Sequence, residues 1–126
     1  MPFLLKTEPT TYSFDDLERD KETTWDGISN PTALMNLRSM KPGEKLIIYH
    51  SGTGKAAIGT AKVVSVDASN PKDPKVRIQA GKRLKQEKTL DDMRAAPAFK
   101  DSILFRQFRL SVVPLTDAQY GWLTQS

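Results

Sequence analysis

The 126-residue chain has no cysteine and a single histidine, His50. The first absence rules out a disulfide framework, a thiolate nucleophile and a thiolate zinc site. The second argues against a conventional zinc or non-haem iron centre, which draws on several imidazoles. Neither a cofactor nor a metal is therefore expected. No apolar run approaches the ~20 residues that a bilayer-spanning helix needs. The start, Met1-Pro2-Phe3, lacks the basic region and long apolar core of a secretory signal. These absences predict a protein with no membrane partner, placed in the cytoplasm or, in a nucleated cell, the nucleus. With 38 % hydrophobic and 27 % charged residues, the composition is that of one folded domain spanning residues 1–126.

The formal net charge of +4 is unevenly spread. Residues 1–44 carry five Lys/Arg against eight Asp/Glu, whereas residues 45–126 carry fourteen against seven. Lys75, Arg77, Lys82, Arg83, Lys85 and Lys88 cluster with one acid, Glu87. Such a cluster attracts a polyanion through counterion release. It also fits a solvated strand edge kept from aggregating by its lysines.

Local signals outline the elements. Phe3-Leu4-Leu5 begins a strand ending at Glu8-Pro9. Ser13 with Asp16 predicts a capped helix from Phe14 to about Asp20. Asn30-Pro31 opens a second helix, with Asn as cap and Pro at the first position, and Ala33, Leu34, Leu37 and Met40 face a core. Strands are expected over Lys45–His50, Ile58 to about Val66 and Lys75 to about Leu84. A helix is expected over Thr89–Ala95, an irregular connection from Pro97, a strand over Phe108–Leu115, and a last helix capped by Thr116 and Gln119. Strands outnumber helices without a βαβ repeat. The fold class is therefore α+β, a sheet curled into a small barrel with helices outside.

Three stretches carry chemistry: Lys6-Thr7-Glu8-Pro9 with Tyr12-Ser13-Phe14-Asp15-Asp16-Leu17, then Trp25-Asp26-Gly27-Ile28-Ser29-Asn30, then Tyr49-His50-Ser51. Each sets hydrogen-bonding groups beside an aromatic ring at the end of an apolar segment. A splayed nucleobase is read by that combination, a ring to stack on and polar groups at its edge. Competing structural roles stand beside each. Trp25 is either a stacking platform or a tryptophan closing the core. His50 either bonds a base or phosphate or braces backbone. Asn30 either reads a base edge or caps its helix. Lys6 and Glu8 share a strand face and suit an internal ion pair. Ser51 is poorly placed to lose a proton to His50, because consecutive strand residues face opposite ways. Gly52-Thr53-Gly54-Lys55 is not a phosphate-binding P-loop: Tyr49 stands at its first glycine and Ala56 at its Ser/Thr.

The ordered series of these blocks, together with Ile58-Gly59-Thr60-Ala61 and Arg109-Leu110-Ser111-Val112-Val113-Pro114-Leu115, closely resembles the EVE domain. It covers nearly the whole chain. That family belongs to the PUA-like group and is similar in shape to the YTH readers of methylated adenine in RNA. The resemblance implies a PUA-like pseudo-barrel of about five or six strands. It also implies a non-catalytic module that recognises a modified base, modified cytosine in DNA foremost, flipped into a pocket. Carried over motif by motif, that pocket comprises Lys6, Thr7, Trp25, Asp26, Asn30, Tyr49, His50 and Ser51. Thr7 stands where the family usually has serine, and Ser29 where it usually has arginine. The segment after Val66 is shorter than in many relatives. Lys55, Lys75, Arg77, Lys82, Arg83 and Lys85 are expected to hold the nucleic-acid backbone, and a separate effector protein is a possible partner. An RNA-binding module, and an enzyme using Asp26, Glu8 and His50, are the rival readings.

Overall fold

Two apolar runs, Phe3–Leu5 and Leu46–Tyr49, are buried on both faces, with Leu4, Leu5, Leu46 and Ile47 fully enclosed. Continuous rather than alternating burial marks a strand covered on both faces. The runs form β1 (Phe3–Thr7) and β3 (Lys45–His50), which pair in parallel with Lys6 opposite Tyr49 and Thr7 opposite His50. The computed structural model of the chain describes residues 1–25, 28–52, 54–100, 102–107 and 110–125.

Around this pair the sheet runs β2-β5-β4-β3-β1-β6. β2 (Glu22–Trp25), β4 (Ala56–Asp67), β5 (Lys75–Thr89) and β6 (Val112–Pro114) all pair antiparallel with their neighbours. The β4–β5 register shifts three times between Ala57 and Ser65. Each shift bends and twists the strands locally, and the mixed six-stranded sheet curls into a half-barrel. Gly59 sits at one of these shifts, and a side chain there would run into the Phe14 ring. The glycine in the Ile58–Ala61 motif therefore admits α1 against the sheet.

The helices start where their caps direct. α1 (Phe14–Asp20), α3 (Leu90–Ala95) and α5 (Asp117–Thr124) each open on a reciprocal capping box, from Ser13/Asp16, Thr89/Asp92 and Thr116/Gln119. α2 (Pro31–Ser39) is capped by Asn30. It buries Ala33 and Leu37, while Leu34 is only half-buried and Asn36 faces inward instead. The Asn36 amide donates to the Val112 carbonyl at 2.8 Å, joining α2 to β6.

Four expectations change. β2 escaped the sequence pattern. β5 runs five residues past Leu84. The connection after Pro97 holds a 3₁₀ turn (Pro97–Phe99) and α4 (Ile103–Arg106). The last strand is confined to Val112–Pro114: the Ser111 carbonyl still accepts the Lys6 N–H at 2.9 Å, but the Leu110 N–H turns back to the Gln107 carbonyl at 2.9 Å. Phe108 and Arg109 lie outside the described residues.

Candidate nucleic-acid interface

The end of β1 turns sharply after Thr7. The Thr11 and Tyr12 N–H groups both donate to the Glu8 carbonyl at 2.9 Å, and the Thr7 hydroxyl donates to the Tyr12 carbonyl at 2.6 Å. This brace fixes Tyr12 opposite Trp25, the last residue of β2. Their rings meet edge to face, 6.3 Å apart and 81° inclined. The Tyr12 hydroxyl donates to Asp20 at 2.8 Å.

Between the turn and β2 lies a cleft of about 400 Å³. Its aromatic and apolar walls are Tyr12, Trp25 and Ile28, and its polar walls are Lys6, Thr7 and Glu8 with the threonines at 11, 23 and 24. That volume is within the ~300–1,000 Å³ typical of small-ligand sites. Trp25 retains only 9 % exposure. The indole is thus a core residue whose remaining surface lines the cleft.

Strand parity separates the remaining residues. Thr7 and His50 are cross-strand partners on the α1 side, whereas Lys6 and Tyr49 face the other way. The Lys6 ammonium lies 5.8 Å from the centre of the Tyr49 ring. Tyr49 and Ser51 line a second, more enclosed cavity with Lys55, Arg94 and Phe105, and among the described residues only Lys6 reaches both hollows. His50 lies behind the cleft, where its Nε2 accepts the Phe14 N–H at 3.0 Å. That nitrogen bears no hydrogen, so the proton of the neutral ring sits on Nδ1. Burial pushes the imidazole below its ordinary pKa, against an opposing pull from Glu87 and Glu8. Asn30 accepts from the Thr32 and Ala33 N–H groups at 2.9 and 3.0 Å. Its oxygen is therefore committed to the helix cap. Asp26 lies outside the described residues.

The expected backbone-binding cations divide in the same way. Arg83 pairs with Asp15 and, at 3.0 Å, with Glu18, and its guanidinium lies 5.3 Å from the Phe14 ring centre. Arg77 meets Glu22 at 3.6 Å and the Thr24 hydroxyl at 3.3 Å. Lys75 pairs with Asp73 at 3.2 Å. The acidic amino-terminal third thus neutralises part of the basic cluster. Lys55, Lys82 and Lys85 are exposed, whereas Lys88 is buried with its ammonium 5.6 Å from the Trp122 ring centre.

Sequence reasoning left Glu8, Tyr12, Thr23 and Thr24 out of the pocket. Glu8 and Tyr12 belonged to quoted motifs, but only the turn after Thr7 shows that they flank the cleft. Among the described residues no cluster of three His, Asp or Glu could hold a metal ion. Among the described residues no helix is long and apolar enough to cross a membrane.

A curled mixed half-barrel with short external helices and a ring-walled cleft at the end of β1 is a PUA-like barrel. The EVE domain family model matches residues 2–126, and the chain belongs to that family. Thymocyte nuclear protein 1 of Homo sapiens is 28 % identical over 96 % of this chain and 71 % of its own length. That alignment runs over 160 positions, so the relative carries insertions absent from this 126-residue chain. A solved structure from Rhodopseudomonas palustris is 31 % identical, covers 98 % of this chain and 90 % of its own, and superposes with a TM-score of 0.89. Human THYN1 protein in complex with DNA containing 5-methylcytosine is 26 % identical, covers 98 % and 95 %, and has a TM-score of 0.85.

Proposed function

We propose that this chain is a non-catalytic reader that takes a modified base, modified cytosine in DNA first, into the cleft between Tyr12 and Trp25. The observation that carries this reading is the cleft itself, where two rings and an acid stand around a space open to solvent. A cytosine presents an N4 amino donor, which a carboxylate accepts, and Glu8 offers one at the rim. A methyl or larger group at C5 would lie against Trp25 and Ile28. Stacking contributes ~1–3 kcal/mol per base, enough with edge contacts to offset the few kcal/mol of eversion. The DNA complex of the human relative supports the same partner.

Lys55, Lys82 and Lys85 would track phosphates without reading sequence. Arg77 and Arg83 would first have to leave Glu22, Asp15 and Glu18. His50 is engaged with the Phe14 N–H and is not placed to serve as a general base, which supports binding without turnover. A separate effector would then act on what this module marks. Its site of action would be the nucleus in a eukaryote, as the name of the human relative implies.

The test is anisotropy titration of duplexes differing at one cytosine, plain or 5-methylated, with single-stranded RNA as competitor. Tighter binding of the methylated duplex is expected. Equal affinity for the two would end the reader reading, and preference for RNA would move the chain to the RNA-binding alternative. Trp25→Ala is a poor probe, because truncating so buried a ring costs ~3–5 kcal/mol of stability. Trp25→Phe and Glu8→Gln keep the shape and should each weaken binding.

A further inference from the structure

Arg83 of β5 is held against α1 by Asp15, Glu18 and Phe14. Its Nε lies 3.0 Å from a Glu18 carboxylate oxygen, and its Nη2 meets Asp15. The two carboxylates stand about one turn apart on α1 and share a face of that helix. The buried Phe14 ring backs the guanidinium, its centre 5.3 Å away. Nε and Nη2 form the edge with which an arginine grips a phosphate through two parallel bonds. In Arg83 both donors of that edge face carboxylates. Arg77 repeats the arrangement more loosely, with Nε 3.6 Å from Glu22 and Nη1 3.3 Å from the Thr24 hydroxyl.

All three acids lie on the stretch of chain, α1 with β2, that joins Tyr12 to Trp25, the two ring walls of the cleft. The lysines of the same cluster differ. Lys82 and Lys85 are exposed and form no ion pair among the described residues. A polyanion reaching β5 meets these lysines directly, but must displace a carboxylate to engage either arginine. Exposed ion pairs are weak enough to be exchanged, yet each exchange subtracts from the affinity gained.

We infer that Asp15, Glu18 and Glu22 are built-in competitors of the nucleic-acid backbone, occupying the phosphate seats of Arg83 and Arg77 in the free protein. Backbone binding then proceeds by exchange of carboxylate for phosphate. The inference rests on the nucleic-acid reading above, but not on which base the cleft takes. The competitors weaken the grip on every duplex alike and leave the choice between bases to the cleft.

The test is a double-mutant cycle, read by anisotropy with plain and 5-methylated duplexes over a range of salt. Asp15→Asn with Glu18→Gln should tighten binding of both duplexes about two- to fivefold, the range of an exposed ion pair. The log–log salt slope should steepen by about 0.9, for one more phosphate contacted. The affinity ratio between the duplexes should stay fixed. With Arg83→Gln added, the gain should vanish, because the competitors no longer hold anything to free. Asp91→Asn alters an exposed acid on α3, outside the cluster, and gives the gain from net charge alone. The altered side chains are exposed, so the fold should survive, as melting curves would verify. Glu22→Gln repeats the test from β2 through Arg77. A gain no larger than that of Asp91→Asn, or one that persists in full with Arg83→Gln, overturns the inference. Failure of the unaltered protein to bind either duplex overturns it together with the reader reading. The predicted gain with equal affinity for the two duplexes supports the inference and ends the reader reading alone.

Discussion

His50 allows a test that most proteins would blur, because no other imidazole titrates in this chain. Its Nε2 accepts the N–H of Phe14, the first residue of α1. That N–H is one of four at the helix start with no partner inside the helix. Replacing His50 with alanine leaves it unsatisfied beneath the cleft, a loss of about 1–3 kcal/mol. Protonation has a related effect. A charged ring cannot accept, and it brings positive charge to the positive end of the helix dipole. Burial lowers the folded-state pKa below the ordinary 6.5, so the unfolded chain binds the proton more readily. Stability from this group is therefore complete above about pH 6.5 and is lost as pH falls through the lower folded pKa. The slope for one proton is at most ~1.4 kcal/mol per pH unit. Asp16, Asp20, Asp67 and Asp92 are held below the ordinary aspartate value of 3.8. Their losses begin at more acid pH and leave the histidine window clear. Urea denaturation followed by tryptophan fluorescence, from about pH 7 to about pH 5, should show the native protein losing stability. His50→Gln, which cannot titrate, should show a flatter profile across the same range. Identical slopes for the two would refute this account of His50 as a half-buried acceptor.

Two glycines yield further expectations. Gly59→Ala should cost ~1–3 kcal/mol by overpacking against the Phe14 ring, and an unchanged urea midpoint would mean that α1 does not press on β4 there. Gly52 has a φ of +76°, and a side chain at this position would meet the Glu8 carboxylate. Gly52→Ala should cost ~1–2 kcal/mol in backbone strain and displace Glu8 from the cleft. Loss of stability with unaltered discrimination between cytosines would remove Glu8 from the recognition scheme.

The capping boxes at Ser13, Thr89 and Thr116 could be read from four-residue windows because the groups that satisfy each other lie within one turn of helix. Similarly, the unbroken apolar run Leu46–Tyr49 announced a strand, though only the structure shows it buried on both faces. β2 was not legible in this way. Glu22-Thr23-Thr24-Trp25 has no clear alternation, and β5 recruits it as an edge strand through pairing fifty residues away. The extra residues of β5 were hidden for a related reason. Repeated register shifts change which side chains face inward, so periodicity fades where the sheet bends most. The aromatic and polar residues of the motifs were visible, but not their division between two hollows. That division follows from the parallel register of β1 and β3, which sends Thr7 and His50 to one side and Lys6 and Tyr49 to the other.

By itself, the sequence determined the local preferences: where helices begin, where apolar runs make strands, what chemistry gathers near the amino end, and which family the ordered motifs resemble. Tertiary structure alone decided that Tyr12 and Glu8 share a cleft with Trp25, and that Arg77 and Arg83 meet acids. The reason is physical. Caps and apolar runs are set by neighbours a few bonds away, whereas a cavity exists only after distant segments are brought together by a register that no short stretch of chain encodes.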